Sequence, residues 1–232
     1  MSGWQGSYCG PAPVPGDLLV SWNFDPIVLA LLAIIGLWAG RSRPGAAAII
    51  VLALVFVSPL CALSSALFSA RVVHHVLLVA VAAPLLALVR PLRATILVGP
   101  AFALATVTLW LWHLPAAYDA ALGHKAIYWM MQAMLFGAAF WFWRAVFSQP
   151  AGSGALWVLF AYISMGLLGA LLTLAPDAIY ATHAVAPMAW GMSPLADQQL
   201  GGLIMWMPSG LPFAAWGLML ARRAWRTMGT AA

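Results

Sequence analysis

The side chains here with metal chemistry to offer are five histidines, two cysteines and eleven methionines. His, Cys and Met together suit Cu(I), while imidazoles with carboxylates suit Cu(II) or zinc. His74 and His75 are neighbours and, on a helix, point about 100° apart, so only one of them can face squarely into a bundle. Arg71 precedes His75 by one helical turn and shares its face. His113 stands in Trp110-Leu111-Trp112-His113-Leu114-Pro115, followed by Tyr118-Asp119, which joins an aromatic anchor, an imidazole, a helix-ending proline and a carboxylate. Asp197-Gln198-Gln199 reads as a helix start, with Asp197 as a natural N-cap. Each feature also has a plainer reading. A histidine at a helix end can be an interfacial polar group, and methionine is common core filler. Cys9 and Cys61 can form a disulfide in an oxidising compartment or stand as free thiols.

Other chemistries find little support. Glu is absent, the acids are Asp17, Asp25, Asp119, Asp177 and Asp197, and no phosphate-binding loop or nucleophile–base–orienter set is present. The sequence is therefore expected not to be an enzyme. The formal charge is +5 and the pI about 9.8, but the bases occur only in pairs and triplets, so no nucleic acid is expected as a partner.

The elements that must position these groups follow from hydropathy. The chain is 65% hydrophobic and 6% charged, with a mean hydropathy of +0.97, against about 25% charged residues in a soluble domain. That excludes a soluble fold and disorder. It leaves an all-α polytopic helical bundle in a lipid bilayer. Seven apolar stretches are predicted as spans, at 26–40, 46–63, 72–89, 95–113, 126–147, 154–175 and 199–221. They form one membrane domain between a tail at 1–25, which is expected to carry no signal peptide, and a basic tail at 222–232. Several prolines lie within spans, where neighbouring helices must satisfy the carbonyls they free.

With seven spans, Arg41, Arg43, Arg90, Arg93, Arg144, Arg222, Arg223 and Arg226 fall on one side, and Arg71 and Lys125 on the other. The positive-inside rule then places the N-terminus outside and the C-terminus in the cytoplasm. On that reading all five Asp, all five His and both Cys lie toward the outer side. The 176–198 connection, rich in apolar and aromatic residues, is expected to lie over the outer end of the bundle as a lid.

Trp112-His113-x-Pro115-x-x-Tyr118-Asp119-x-Ala121-Leu122 and Asp197-Gln198-Gln199-x-Gly201-Gly202-x-x-Met205-Trp206 resemble signatures of the seven-span CtaG-like family of cytochrome c oxidase assembly proteins. Phe68-Ser69, His75, Leu77-Leu78 and Ala83-Pro84-Leu85-Leu86 resemble its span 3 motif. The likeness covers about residues 50 to 222. It implies a multi-pass protein of the bacterial plasma membrane, with oxidase subunits as partners and copper as the handled metal. Arg71, Tyr128 and Gln132 depart from the pattern, since many members carry His at those positions.

His75 and His113 are the expected copper ligands, because consecutive spans pack as neighbours. Met131 or Met205 is the expected third ligand. Asp119 or Asp197 is expected to orient an imidazole through its other nitrogen, with Tyr118, Gln198, Arg71 and His74 as supporting residues. His74, His124 and His183 are expected to matter less. The competing readings are a bis-His membrane cytochrome and a copper or small-solute transporter, which needs polar groups at mid-membrane.

Overall fold

The computed structural model describes residues 8–90 and 96–229. Arg93 and the start of the predicted span at residue 95 lie outside the described residues. Among those residues the fold is helical throughout, with no strand. The helices are α1 (Pro26–Ala39), α2 (Arg43–Phe56), α3 (Pro59–Ala66), α4 (Phe68–Val76), α5 (Ala83–Ala87), α6 (Val98–Leu111), α7 (Pro115–Gly123), α8 (Lys125–Ser148), α9 (Ala151–Leu174), α10 (Pro194–Trp206) and α11 (Gly210–Gly229). A π-helical segment, Leu77–Ala82, joins α4 to α5, so that Phe68–Ala87 runs as one rod.

Four rods are long and apolar enough to cross a membrane: Phe68–Ala87, α8, α9 and Pro194–Met228. Two bent pairs bring the number to six: α2 with α3, bent by 46°, and α6 with α7, bent by 75°. Helix α1 is apolar but has only 14 residues, about 21 Å of rise against a hydrocarbon core of about 30 Å. The structure thus gives four to six spans by length, where the sequence reading expects seven. Prolines explain much of the difference. Pro59 and Pro115 start new helices after breaks, whereas α10 and α11, separated near Pro208 inside the predicted span 199–221, still run on as one rod.

Capping follows local chemistry. Asp25 accepts from Ile27 N, Ser42 from Gly45 N and Ser193 from Ala196 N, each with proline in the first turn of the helix it caps. Large apolar side chains such as Leu37, Ile50, Leu171 and Leu211 are 86%, 70%, 61% and 74% exposed. An apolar outer surface is what a lipid solvent requires, since backbone polarity is satisfied inside the helices.

The two ends of the bundle differ. At one end Arg144 donates to the Arg90 carbonyl, Arg90 lies over Trp38, and Ser148 and Gln149 hold the backbone of Ile96. At the other end Cys9 is joined to Cys61 by a disulfide, which resolves the alternative left open by the sequence. Here too Asn23 donates to the Phe56 carbonyl, and Trp190 of the 176–193 connection donates to the Pro13 carbonyl. That connection is a packed lid, as expected, with short 3-10 turns at Ala181–His183 and Ala186–Trp190.

Candidate functional site

The three motifs quoted above converge under this lid. Asp197 sits in the first turn of α10, fully buried, but it does not cap its own helix; Ser193 does. Its carboxylate accepts from Phe68 N (2.6 Å), Ser69 N (3.1 Å) and Ser69 Oγ (2.5 Å), which makes it the N-terminal cap of α4. Three donors and the positive end of a helix dipole compensate the buried charge. Gln198 accepts from Ile179 N and donates to the carbonyls of Leu172 and Asp177, so it fastens the lid to the end of α9. Gly201 and Gly202 are required by close approach. A Cβ on Gly202 would meet Gly169 O and Thr173 N of α9 at 2.6 Å, and one on Gly201 would collide with the Phe68 ring.

The second carboxylate does a similar job. Asp119, on α7, accepts from Ala181 N, Thr182 N and Thr182 Oγ1, at 3.1, 3.0 and 2.6 Å. Both Asp side chains therefore hold backbone and hydroxyl groups, where the sequence reading had one of them orienting an imidazole. Tyr180 donates to the His113 carbonyl (2.9 Å) and stacks on Phe68 at 4.6 Å. Tyr118 Oη and His183 Nε2 lie 2.7 Å apart, and His183 Nδ1 lies 3.2 Å from Ala66 O. Because a carbonyl only accepts, Nδ1 carries the proton and Tyr118 donates to Nε2. His183 is buried, and burial pushes its imidazole down to about 4. The sequence reading put it among the peripheral histidines; its flat, apolar-flanked stretch gives no sign of this pairing.

Deeper, the histidines of α4 meet the end of α6. His75 and His113 are 2% and 4% exposed, with ring centroids 6.1 Å apart. Rings sharing a first-row metal through bonds of about 2 Å have centroids roughly 5–6.5 Å apart. His113 Nδ1 donates to Leu109 O (2.7 Å), which leaves the Nε2 lone pair for another partner. Both nitrogens of His75 are buried and without a hydrogen bond. The pair fits a metal in separation and in spare lone pairs, but no group of three or more His, Cys, Asp or Glu able to hold an ion occurs among the described residues. Cys9 and Cys61 are spent on each other. Met131 and Met205 are buried, Met205 against Gly169 of α9, whereas Met130 is 50% exposed.

His74 departs from expectation. It is fully buried, edge-on to Phe56 at 5.3 Å and 5.5 Å from the His75 ring, with both nitrogens unpartnered. Adjacent helical residues both become interior when the helix is packed on several sides, and 67% of the best window of this rod is buried. His124 is exposed, as expected of a loop residue.

Arg71 is also fully buried. Its Nε donates to Ser64 O (3.2 Å) and Nη1 to Tyr128 Oη (3.4 Å), and the guanidinium lies 5.3 Å from the Tyr128 ring centroid. Tyr128 Oη lies in turn 3.4 Å from Cys9 Sγ. Two of the positions that depart from the motif pattern are thus in contact.

No curated protein and no solved structure matches the chain. The family described as cytochrome c oxidase caa3 assembly factor (Caa3_CtaG) matches residues 38–227, which include all three motifs and every helix from α2 to α10. The chain therefore belongs to the cytochrome c oxidase caa3 assembly factor family.

Proposed function

We propose that this protein assists assembly of a haem-copper cytochrome c oxidase by holding copper as cargo at the outer end of its bundle. It acts as a plasma-membrane scaffold with seven passes and an external N-terminus, and it delivers the ion to an oxidase subunit. The observation that carries the copper reading is the His75–His113 pair: two buried imidazoles 6.1 Å apart with unspent nitrogens. Imidazole suits copper, and a thioether from Met131 or Met205 would favour the Cu(I) state. The lid supports a handling role, because Tyr180 grips the His113 carbonyl and couples the site to the outer surface.

Support for seven passes comes from the differing ends. Asn23, just before α1, meets Phe56 at one end of the bundle and Trp38, near the end of α1, meets Arg90 at the other, which supports counting α1 as a pass despite its 14 residues.

The test is copper retained by purified protein, together with haem-copper oxidase activity in a deletion strain complemented with variants. His75→Ala and His113→Ala are each expected to lower copper content at least tenfold and to abolish oxidase activity. His124→Ala, at an exposed position, should leave both unchanged. Wild-type copper and oxidase levels in both buried-histidine variants, at normal membrane abundance, would overturn the reading.

A further inference from the structure

Around Arg71 lies a set of buried polar atoms that the lid does not use and that, His75 apart, the copper pair does not use either. Arg71 Nη2, both nitrogens of His74, both of His75 and both amide atoms of Gln132 have no hydrogen-bond partner. All four residues are at least nine-tenths buried, with exposures of 0, 0, 2 and 2%. Arg71, His74 and His75 share one stretch of α4, and Gln132 follows Tyr128, the partner of Arg71, by one turn of α8. Nearly all buried polar groups in native proteins are paired, and a buried charge without a counter-charge costs several kcal/mol.

The set has a definite sign. The guanidinium is always charged and only donates. Its partners, the Ser64 carbonyl and the Tyr128 hydroxyl, are neutral. The buried carboxylate at the start of α4, Asp197 of α10, has both oxygens committed to Phe68 and Ser69. No ion pair to Arg71 occurs among the described residues within hydrogen-bonding reach. A neutral imidazole adds one N–H donor, and the Gln132 amide adds two. Fixed positive charge with surrounding N–H donors is the chemistry of an anion site.

We propose that the Arg71–His74–Gln132 cluster binds one small monovalent anion of halide size inside the outer half of the bundle. The anion neutralises Arg71 and accepts from Nη2 and from the imidazole and amide N–H groups beside it. This site goes beyond the copper reading and stands or falls without it.

The experiment uses the full-length chain in detergent, freed of copper by chelation. Thermal unfolding is followed in sodium chloride, sodium bromide and sodium gluconate at constant ionic strength. Gluconate is far larger than a halide and serves as the non-binding reference. Chloride and bromide are expected to raise the midpoint saturably by about 5 °C over gluconate, and Arg71→Met should abolish the difference between salts. Equal midpoints in the three salts, or an undiminished halide effect in Arg71→Met, would overturn the proposal. Should Arg71→Met not insert, two readings on folded protein decide. Gln132→Leu should weaken the apparent halide affinity several-fold, and bromide soaked into crystals of the native chain should give an anomalous peak beside Nη2. No bromide peak there, or unaltered affinity in Gln132→Leu, refutes it.

Discussion

Asp197 and His183 illustrate what single residues contribute and how much of that a sequence conveys. The sequence marks Asp197 as a helix-start residue, and the chemistry of a capping carboxylate is right. The helix it caps lies 128 residues away, a pairing that only tertiary structure supplies. Asp197→Ala removes a buried carboxylate with three donors and leaves Phe68 N and Ser69 N unpaired. It is expected to cost about 3–5 kcal/mol, with Asp197→Asn intermediate, as judged by thermal unfolding in micelles. His183 gives a pH signature. In the folded chain burial holds its pKa down to about 4, against about 6.5 when unfolded. Below pH 6.5 the unfolded chain takes up a proton that the folded chain refuses, so stability falls as the pH drops from 6.5 toward 4. Above 6.5 neither state is protonated and the contribution is flat. Its share of the loss reaches up to about 3 kcal/mol. His183→Gln keeps polar partners for Tyr118 and Ala66 without titrating, and should give a shallower fall between pH 7 and pH 4.5. Superimposable pH profiles for the two proteins would refute this.

Among the elements, the rod from Phe68 to Ala87 shows how the sequence announces a problem and the fold solves it. Pro84 has no N–H, so in α-helical register the Ala80 carbonyl loses its partner, and in π-helical register the Val79 carbonyl does. The structure supplies one indole to each. Trp143 of α8 donates to Val79 O at 2.8 Å, and Trp216 of α11 donates to Ala80 O at 2.9 Å. That neighbouring helices satisfy a proline's carbonyls was legible from composition. Which tryptophans do so, among the 13 in the chain, was not, because they come from helices 64 and 136 residues downstream. A coupling follows. Trp216→Phe should cost about 1–2 kcal/mol in the native background. It should cost much less in Pro84→Ala, where residue 84 regains an N–H for Ala80. A double-mutant cycle on unfolding free energies reads this directly, and additive effects would count against the account. The bends at Val57–Ser58 and Trp112–Leu114 were harder to foresee, since Pro59 and Pro115 mark a break but hydropathy cannot tell a span that ends from one that bends and runs on.

For the molecule as a whole, charge and packing point to the same orientation. At the end that carries the disulfide and the lid Arg71 is buried, so among the described residues Lys125 is the one base left at its surface. The opposite end gathers Arg90 and Arg144 against Trp38 and Phe140. The sequence conveyed this asymmetry because topology is written in a few charged loop residues, whereas depth and contact are set by packing of a nearly uniform apolar surface. The disulfide adds an independent argument, since such bonds persist in oxidising compartments and Cys9–Cys61 lies at the base-poor end. Both support the proposed orientation, with that end outside the cell. Cysteines at exposed sites on the two ends test the prediction without disturbing the bundle: His124→Cys in the loop before α8, and Met228→Cys, at a position 61% exposed near the end of α11. In intact cells a membrane-impermeant maleimide should label His124→Cys fully and leave Met228→Cys untouched, and lysis should expose the second. The native disulfide stays in place, so the wild-type chain serves as the unlabelled reference. Labelling of Met228→Cys in intact cells, with His124→Cys protected until lysis, would reverse the orientation and move the histidine pair to the cytoplasmic face.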